Sequence, residues 1–202
     1  VEVSACSRIL SNANGQATVV ARTMDLCTSD AAQLAVNPRG VERVSDTGDG
    51  KPLRWTSKYG SVAVNSFGNT SDGMNEKGLV VNLLYLGDTQ YGSQDNRPGL
   101  SNMQWGQYVL DNFGTVQEAV NGLEAVRVVS VENAGKQWPL HLSISDASGD
   151  SAIVEYVDGR QVIHHGEVFL RIHRYPSVEL DIPDCAIVKG ENTVKIQYVS
   201  NY

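Results

Sequence analysis

Cys6, Arg22 and Asp25 are the residues whose types and spacing best support chemistry in this sequence. A cysteine that begins a chain carries two reactive groups, because its thiol can attack a carbonyl and its α-amino group can act as the base. A free α-amino group titrates at about 7.7–8.0, close to the pH at which a general base works best. A cysteine behind a peptide bond has lost this base, so the predicted chemistry requires removal of the residues before Cys6.

Arg22 and Asp25 are charged residues that would assist Cys6. A nearby cation favours the thiolate form of a cysteine, and Arg22 would supply this cation. Asp25 would accept hydrogen bonds from the α-amino group of Cys6 and orient it. The competing interpretation is a surface ion pair between Arg22 and Asp25, which lie three residues apart.

The residues Val3-Ser4-Ala5 place small side chains at the last and third-last positions before Cys6. This small-x-small pattern is typical of a signal-peptidase site. It predicts a periplasmic or secreted protein whose mature chain begins at Cys6. The same residues also fit a lipoprotein attachment site, in which Cys6 would be a membrane anchor and not a nucleophile.

The composition is that of an acidic globular chain with few cysteines. The 202 residues carry a net charge of −7, which argues against a nucleic-acid partner because such a partner requires a basic face. Apolar runs stay short of the ~18 residues of a membrane helix. The cysteine count is odd, so at least one thiol is free unless it pairs between chains. We interpret Cys27 and Cys185 as small buried hydrophobic residues.

The four histidines give no metal-binding pattern. His164 and His165 are adjacent, so their rings would face opposite sides of a strand. Neither C-x-x-C nor H-E-x-x-H occurs, and we therefore expect no metal site. A Cys–His protease that uses His141 stays open as an alternative, although no other feature of the sequence favours it.

A predicted hairpin positions the candidate residues. Residues 7–10 and 17–22 have the pattern of two short strands around a polar turn that ends in Asn14-Gly15, which would return Arg22 to Cys6. The remaining signals are a loop-rich segment at 28–52, a strand at 55–67 interrupted by Gly60, a polar loop at 68–73, a strand covered on both faces at 79–86, helices at 101–113 and 115–126, and strands at 140–146, 151–156 and 161–165. This order indicates two packed sheets with helices outside.

Several blocks of the sequence occur in an order that resembles one known family. The blocks are Ala5-Cys6-Ser7-Arg8, Arg22-Thr23-Met24-Asp25, Trp55-Thr56-Ser57-Lys58-Tyr59-Gly60-Ser61-Val62, Asp72-Gly73-Met74-Asn75-Glu76-Lys77-Gly78-Leu79, Tyr108-Val109-Leu110-Asp111-Asn112-Phe113 and Leu140-His141-Leu142-Ser143-Ile144-Ser145-Asp146. Over residues 5–165 the chain resembles the choloylglycine hydrolase and penicillin V acylase family. Within that family it is similar to the Gram-negative penicillin V acylase branch.

The resemblance implies an α+β fold with four layers in the order α, β, β, α, which is the N-terminal-nucleophile (Ntn) hydrolase fold. It implies hydrolysis of linear amides in N-acylated small molecules, without metal or organic cofactor. The implied substrates are penicillin V, N-acyl homoserine lactones (a quorum-quenching activity) or conjugated bile salts. The resemblance also implies a homotetramer, and a membrane partner is expected only if Cys6 is lipidated.

The resemblance assigns roles to individual residues. Cys6 matches the family nucleophile, and Arg22 and Asp25 match its two catalytic neighbours. Tyr85 is expected to donate its backbone N–H to the oxyanion and to place its ring in the acyl pocket. The further expected pocket residues are Met24, Leu26 and Phe67.

Asn75 is expected to have a structural role near the site, as a turn residue that ties a loop to a strand. A tyrosine in an apolar run such as the one around Tyr85 is otherwise a core residue, and this simpler interpretation stays open.

The resemblance ends near His165. It divides the chain into a leader remnant at 1–5, an Ntn-hydrolase domain at 6–165 and a divergent tail at 166–202. The family's Thr-Asn-Ser-Pro strand end, whose asparagine is the other oxyanion donor, and a distal arginine do not occur in this tail. Three explanations stay open: the tail replaces the missing strands, the sequence is a fragment or fusion, or the gene carries a frameshift. A non-catalytic remnant or binding module is therefore an alternative to an acylase.

Overall fold

The structure is a computed structural model, which describes residues 6–12, 17–24, 29–45, 47–48 and 50–166. The predicted leader and almost all of the predicted tail lie outside these ranges, so the proposed domain boundaries stay predictions. Within the described ranges, neither helix is long and apolar enough to span a membrane.

Strands predominate in the described part of the chain. They are β1 (Arg8–Ser11), β2 (Val19–Arg22), β3 (Gln33–Asn37), β4 (Glu42–Ser45), β5 (Leu53–Thr56), β6 (Ser61–Ser66), β7 (Asn69–Asn75), β8 (Val80–Tyr85), β9 (Gly99–Ser101), β10 (Arg127–Val129), β11 (Glu132–Asn133), β12 (Lys136–Gln137), β13 (Leu140–Ser145), β14 (Ser151–Val157) and β15 (Arg160–His165). The helices are α1 (Trp105–Asn112) and α2 (Val116–Gly122), followed by a 3-10 turn at Leu123–Ala125.

A seven-stranded antiparallel sheet forms the centre of the described structure. Its strand order is β15-β14-β13-β8-β7-β6-β3. β8 lies in the middle of the sheet because its apolar side chains can be buried on both faces. The strands predicted at 79–86, 140–146, 151–156 and 161–165 are confirmed, with ends that differ by one residue.

Three predictions for the region before β8 were wrong. The polar loop expected at 68–73 is largely strand β7, and the loop-rich segment 28–52 contains β3 and β4. The single strand expected at 55–67 is two strands, β5 and β6, which belong to different sheets. The polar composition of β7 was misleading because this strand directs Asp72 towards polar partners inside the protein, including Asn82.

Helices α1 and α2 cover one face of the large sheet. α1 begins later than predicted because Gly99–Ser101 forms β9, which pairs in parallel with β10. α2 begins after Thr115, whose hydroxyl accepts the N–H of Glu118 at 3.2 Å, so the predicted N-terminal cap is present. The core between helices and sheet includes Trp105, Val109, Leu110, Val116, Ala119 and Leu123 from the helical side and Val81, Leu83, Leu142, Ile144 and Val154 from the sheet.

The predicted hairpin is confirmed as β1 and β2, and its Asn14-Gly15 turn lies outside the described residues. The hairpin packs on the sheet face opposite to the helices. Side chains alternate along β8, so Leu83 enters the helix-covered core and Asn82 faces the other way. Asn82 Oδ1 accepts a hydrogen bond of 2.6 Å from Arg8 Nε in β1. The described layers are therefore helices, large sheet and hairpin.

Candidate active site

The hairpin brings Cys6 and Arg22 to one face. β1 and β2 pair with Arg8 opposite Arg22. Residues two apart on a strand share a face. Cys6 therefore lies on the same face of the hairpin as Arg8, and Met24 lies on the same face as Arg22. Cys6 is half-buried and carries a free thiol.

One pocket contains the described members of the predicted site. Its empty space is about 490 Å³, part of which is open to solvent, and its walls are mainly aliphatic and aromatic. The predicted residues in its lining are Cys6, Arg22, Met24, Phe67 and Tyr85. The lining is completed by Ser66, Asn69, Thr70, Ser71, Leu83, Met103, Trp138 and Leu140.

Asp25 and Leu26, the other two residues predicted to form the site, lie outside the described residues. The orientation of the Cys6 α-amino group by Asp25 and the contribution of Leu26 to the acyl pocket therefore stay predictions.

Arg22 is held by two partners behind the pocket. Its Nη2 donates to the Leu83 carbonyl at 2.9 Å, and its Nε lies 3.3 Å from Asp72 Oδ1. The side chains of Arg22 and Asp72 are 11% and 14% exposed, so this ion pair is well shielded from water. The predicted alternative paired Arg22 with Asp25 at the surface, whereas the structure gives Arg22 an interior partner from β7.

The Leu83 carbonyl is available to Arg22 because β8 separates from β7. The two strands pair at Val80–Asn82 of β8, and the pairing ends there. Residues two apart on a strand direct their backbone groups to the same edge. The backbone N–H of Tyr85 therefore points to the same side as the Leu83 carbonyl, towards the pocket that Arg22 lines. This direction suits the predicted donation to an oxyanion.

Phe67 reaches the pocket from a tight turn between β6 and β7. Its φ is 49° and that of Gly68 is 78°, and two such residues form the type of turn that closes a two-residue hairpin. The turn is fixed from outside, because the N–H of Phe67 donates to the Asp30 carbonyl at 3.0 Å. The Phe67 carbonyl accepts from Asn133 Nδ2 at 3.2 Å.

Asn75 lies away from the pocket, where it ties the β7–β8 turn to the end of α1. It is 3% exposed. Its Nδ2 donates to the carbonyls of Leu110 at 2.9 Å and Phe113 at 2.7 Å. Its Oδ1 accepts the N–H groups of Lys77 at 3.0 Å and Leu79 at 3.1 Å.

The adjacent histidines contact different acids. His164 Nε2 lies 3.4 Å from Glu155 Oε2, and His165 Nε2 lies 2.9 Å from Asp150 Oδ2. Within the part of the chain that the structure describes, no three His, Cys, Asp or Glu side chains form a group that could hold a metal ion.

Sequence reasoning missed several residues of the pocket and its support. Trp138, Met103 and Leu140 complete the wall, and Asp72 holds Arg22. Nothing local in the sequence distinguishes Trp138 and Met103, as residues of a pocket wall, from residues of an ordinary core. Asp72 gave no signal either, because it falls in a segment whose composition predicts a polar loop.

The described fold is the Ntn-hydrolase fold. An antiparallel sheet has helices on one face, and on the other a hairpin carries a half-buried cysteine beside an arginine. The chain belongs to the choloylglycine hydrolase family of linear amide C–N hydrolases, whose model matches residues 6–173. The predicted family and fold are therefore confirmed.

The chain is similar to characterised members of this family. It is 40% identical over 190 residues to penicillin V acylase of Pectobacterium atrosepticum, a match that covers 87% of this chain and 50% of the relative. It is 48% identical to the solved penicillin V acylase of Agrobacterium tumefaciens, with a TM-score of 0.71 over 80% of this chain and 50% of the other. The chain thus spans about half the length of these relatives.

Two variants of conjugated bile acid hydrolase from Clostridium perfringens share the fold. Their identities are 22% and 23%, each with a TM-score of 0.68, and each match covers 80% of this chain and 51% of the other.

Proposed function

We propose that this protein hydrolyses a linear amide in N-acylated small molecules, with Cys6 as the nucleophile. One observation carries the proposal: a half-buried free cysteine and a shielded arginine line the same pocket, whose other walls are aliphatic and aromatic. The pocket thus combines a nucleophile and a cation with a surface that suits an apolar acyl group.

The reaction would proceed in two steps. The thiolate of Cys6 attacks the amide carbonyl carbon, the C–N bond breaks, and the amine leaves with a proton from the α-ammonium group of Cys6. Water then attacks the resulting thioester, gives a proton to the α-amino group and releases the carboxylic acid and the Cys6 thiolate, which restores the starting thiolate and α-ammonium pair. The α-amino group serves as base and acid only if Cys6 is the first residue of the mature chain.

The tetrahedral intermediate needs hydrogen-bond donors for its oxyanion. The backbone N–H of Tyr85 is the proposed donor in this chain, because it points to the side of β8 that Arg22 occupies. The family's asparagine donor has no counterpart in residues 166–202. Loss of one such donor costs about 10²–10³ in rate, so activity would require a second donor.

The walls of the pocket favour an aryl or aliphatic acyl group over a steroid. Phe67 and Trp138 present ring surfaces, and Met24 and Met103 present flexible thioether chains. Such a wall suits the phenoxyacetyl group of penicillin V and the chain of an N-acyl homoserine lactone. Penicillin V acylase activity is the proposed function, with quorum quenching as its extension to the lactones. Hydrolysis of conjugated bile salts is the alternative.

We further propose that the protein acts in the periplasm or outside the cell as a homo-oligomer. The support for export is the Val3-Ser4-Ala5 pattern before Cys6. Removal of Val1–Ala5 would produce the catalytic amine, and intact-mass measurement distinguishes a retained leader, a removed leader and an acylated Cys6.

Release of phenoxyacetate from penicillin V tests the function. We expect turnover by protein whose mass proves that it begins at Cys6, and loss of turnover in Cys6→Ser and Cys6→Ala. Circular dichroism of both variants should match that of the parent protein. No product from the processed parent would favour the non-catalytic alternative, and faster hydrolysis of a glycine-conjugated bile salt would contradict the substrate assignment.

A further inference from the structure

Asp72 lies behind Arg22, on the side away from Cys6. Arg22 and Met24 line both the Cys6 pocket and a second, open cleft on the hairpin face of the sheet. Asp72 and Asn82 line only the second cleft. Asp72 therefore contacts Arg22 without bordering the space in which the substrate would react.

The carboxylate of Asp72 is itself fixed by one residue of the neighbouring strand β8 and one residue of its own strand β7. Asn82 Nδ2 donates to Asp72 Oδ1 at 2.8 Å, and the Ser71 hydroxyl lies 2.7 Å from Asp72 Oδ2. The carboxylate thus has a partner at each oxygen besides its ion pair with Arg22. Hydrogen bonds at both oxygens fix the orientation of the Asp72 carboxylate. A carboxylate in a fixed orientation can in turn hold the Arg22 side chain in one position.

Arg8 extends this arrangement to the start of the hairpin. Its Nε donates to Asn82 Oδ1 at 2.6 Å, and its Nη2 donates to the Ser145 hydroxyl. Burial lowers the pKa of Arg8 to about 10, and the charge of Asp72 acts in the opposite direction. Asp72 therefore contacts Arg22 directly and is linked to Arg8 through Asn82.

Arg22 depends on few anchors for its position. Asp72 Oδ1 forms an ion pair with Nε at 3.3 Å, without hydrogen-bond geometry, and the Leu83 carbonyl accepts a hydrogen bond from Nη2 at 2.9 Å. Nη1 is buried, and none of the described residues accepts a hydrogen bond from it. These two contacts orient the Nη1 group of Arg22. Without Asp72, the guanidinium would be held by the Leu83 carbonyl alone.

We propose that Asp72 is a positioning residue that holds the Arg22 guanidinium at the Cys6 pocket, and that Asn82 and Arg8 hold Asp72 in place. Asp72 acts through Arg22 and does not touch the reacting atoms. The inference rests on the proposed function for its effect on amide hydrolysis. The reactivity of the Cys6 thiol should depend on Asp72 even without amide hydrolysis, because a well-placed cation favours the reactive thiolate of Cys6.

A double-mutant cycle tests this role in the purified full chain that begins at Cys6. The variants are Asp72→Asn, which keeps the shape but removes the charge, Arg22→Ala, and the two combined. The matched control is Asp30→Asn, because Asp30 lines the same cleft but none of the described ion pairs joins it to Arg22. Two rates are measured: alkylation of Cys6 by iodoacetamide, followed on the Cys6 peptide by mass spectrometry, and hydrolysis of penicillin V.

Asp72→Asn is expected to slow alkylation about tenfold and to lower kcat about 10- to 100-fold with KM changed less than about threefold, since small displacements of a positioned group cost up to about 10²-fold. Asp30→Asn should behave like the parent. In the Arg22→Ala background, Asp72→Asn should cost nothing further, because residues that act through one another are not additive. Asp72→Glu, which keeps the charge but displaces it, should fall between the parent and Asp72→Asn and provides the test if Asp72→Asn does not fold.

Parent-like alkylation in both Asp72 variants would overturn the inference, as would a full additional loss when Asp72→Asn is added to Arg22→Ala. The two proposals fail separately. If the parent hydrolyses no amide but alkylation follows the expected pattern, the proposed function is contradicted and the positioning role of Asp72 is supported.

Discussion

Phe67 and Trp138 pack their rings together at the wall of the pocket, with centroids 5.0 Å apart and ring planes inclined by 35°. Asn133 joins the two residues. Its carbonyl accepts from Trp138 Nε1 at 2.9 Å, and its Nδ2 donates to the Phe67 carbonyl at 3.2 Å. The aromatic wall is therefore assembled from the β6–β7 turn and the segment between β12 and β13, and Asn133 joins the two.

The Trp138→Ala variant should bind an aryl-acyl substrate less tightly. Loss of an aromatic partner removes about 0.5–1.5 kcal/mol beyond its buried area. We expect KM for penicillin V to rise about tenfold while kcat changes little, since the wall would contact ground state and transition state alike. Steady-state kinetics with penicillin V and with a matched N-acetyl amide measure the effect.

Trp138→Phe is the matched control, because it keeps a ring opposite Phe67 and loses the hydrogen bond to Asn133. Its KM for penicillin V should lie between those of the parent and Trp138→Ala. An equal rise of KM for the N-acetyl amide would show that Trp138 supports the site without contacting the acyl group.

The Asn75→Ala variant should lose stability without a direct effect on the pocket. Asn75 satisfies four backbone groups with its two side-chain polar atoms. A buried polar group without a partner costs about 1–3 kcal/mol, so we expect the free energy of unfolding to fall by about 3 kcal/mol or more. Urea denaturation at pH 7 measures this change.

Asn121→Ala provides the comparison for Asn75→Ala. The Asn121 side chain accepts from Gln117 Nε2 on the exposed surface of α2, and a surface substitution of this kind changes stability by about 0.5 kcal/mol or less. Similar losses in both variants would contradict the role that the structure gives to Asn75.

The sequence was sufficient to predict those elements whose local pattern matches their environment. The apolar run of β8 predicted a strand covered on both faces, and the turn residues before Arg22 predicted the hairpin. The resemblance then identified Cys6, Arg22, Met24, Phe67 and Tyr85 as candidates, and the structure brings these five residues to one pocket.

Local patterns failed where tertiary contacts decide the structure. β7 reads as a polar loop, yet it is a strand because its polar side chains find partners inside the protein. Gly73 supports the same point: a Cβ there would lie 2.7 Å from Leu110 Cδ1 and 2.9 Å from the Val62 carbonyl, so glycine is required by the close approach of α1 and β6 and not by a turn. The ion pair between Asp72 and Arg22 could not be predicted from the sequence either, because it joins strands of two different sheets.

The Asp146→Asn variant should be less stable than the parent at neutral pH, because the ionised carboxylate of Asp146 stabilises the folded protein. Asp146 Oδ2 accepts the Val116 N–H at 2.9 Å at the start of α2, and Oδ1 accepts the Ser148 N–H at 2.9 Å. Burial alone would raise the pKa of Asp146. The hydrogen bonds from Ser148, Val116 and Asp150 outweigh burial and lower this pKa below 3.8.

A lowered pKa in the folded state fixes the sign of the pH effect. The stabilisation is present above the ordinary pKa of 3.8 and is lost as the pH falls through the lower, folded-state value. Asp146→Asn should therefore unfold more easily than the parent at pH 7, by about 1 kcal/mol, and the difference should shrink towards pH 2. Urea denaturation across this range measures it. The control is Asp158→Asn, which removes one negative charge at an exposed turn, and a difference that stays constant down to pH 2 would contradict the assignment.

The Tyr91 hydroxyl bonds to both backbone groups of Leu140, a residue of the pocket wall. It donates to the Leu140 carbonyl at 3.1 Å and accepts the Leu140 N–H at 3.0 Å. Burial raises the pKa of Tyr91 to about 12, although the hydrogen bond from the Leu140 N–H acts in the opposite direction. The hydroxyl therefore stays protonated, and able to donate, throughout the pH range in which the protein would work.

Tyr91→Phe should destabilise the protein by about 1–3 kcal/mol, because it leaves the buried N–H of Leu140 without its acceptor. A pKa raised from 10 to about 12 means that the parent keeps this stabilisation in full below pH 10 and loses it only as the pH rises towards 12. The difference between parent and variant should thus be constant from pH 6 to about pH 9 in urea denaturation. Tyr108→Phe is the control, because the Tyr108 ring packs edge-on against Trp55 and, within the described residues, no hydrogen bond holds its hydroxyl. It should match the parent within about 0.5 kcal/mol, and an equal loss in the two variants would show that the Leu140 contacts carry no stability.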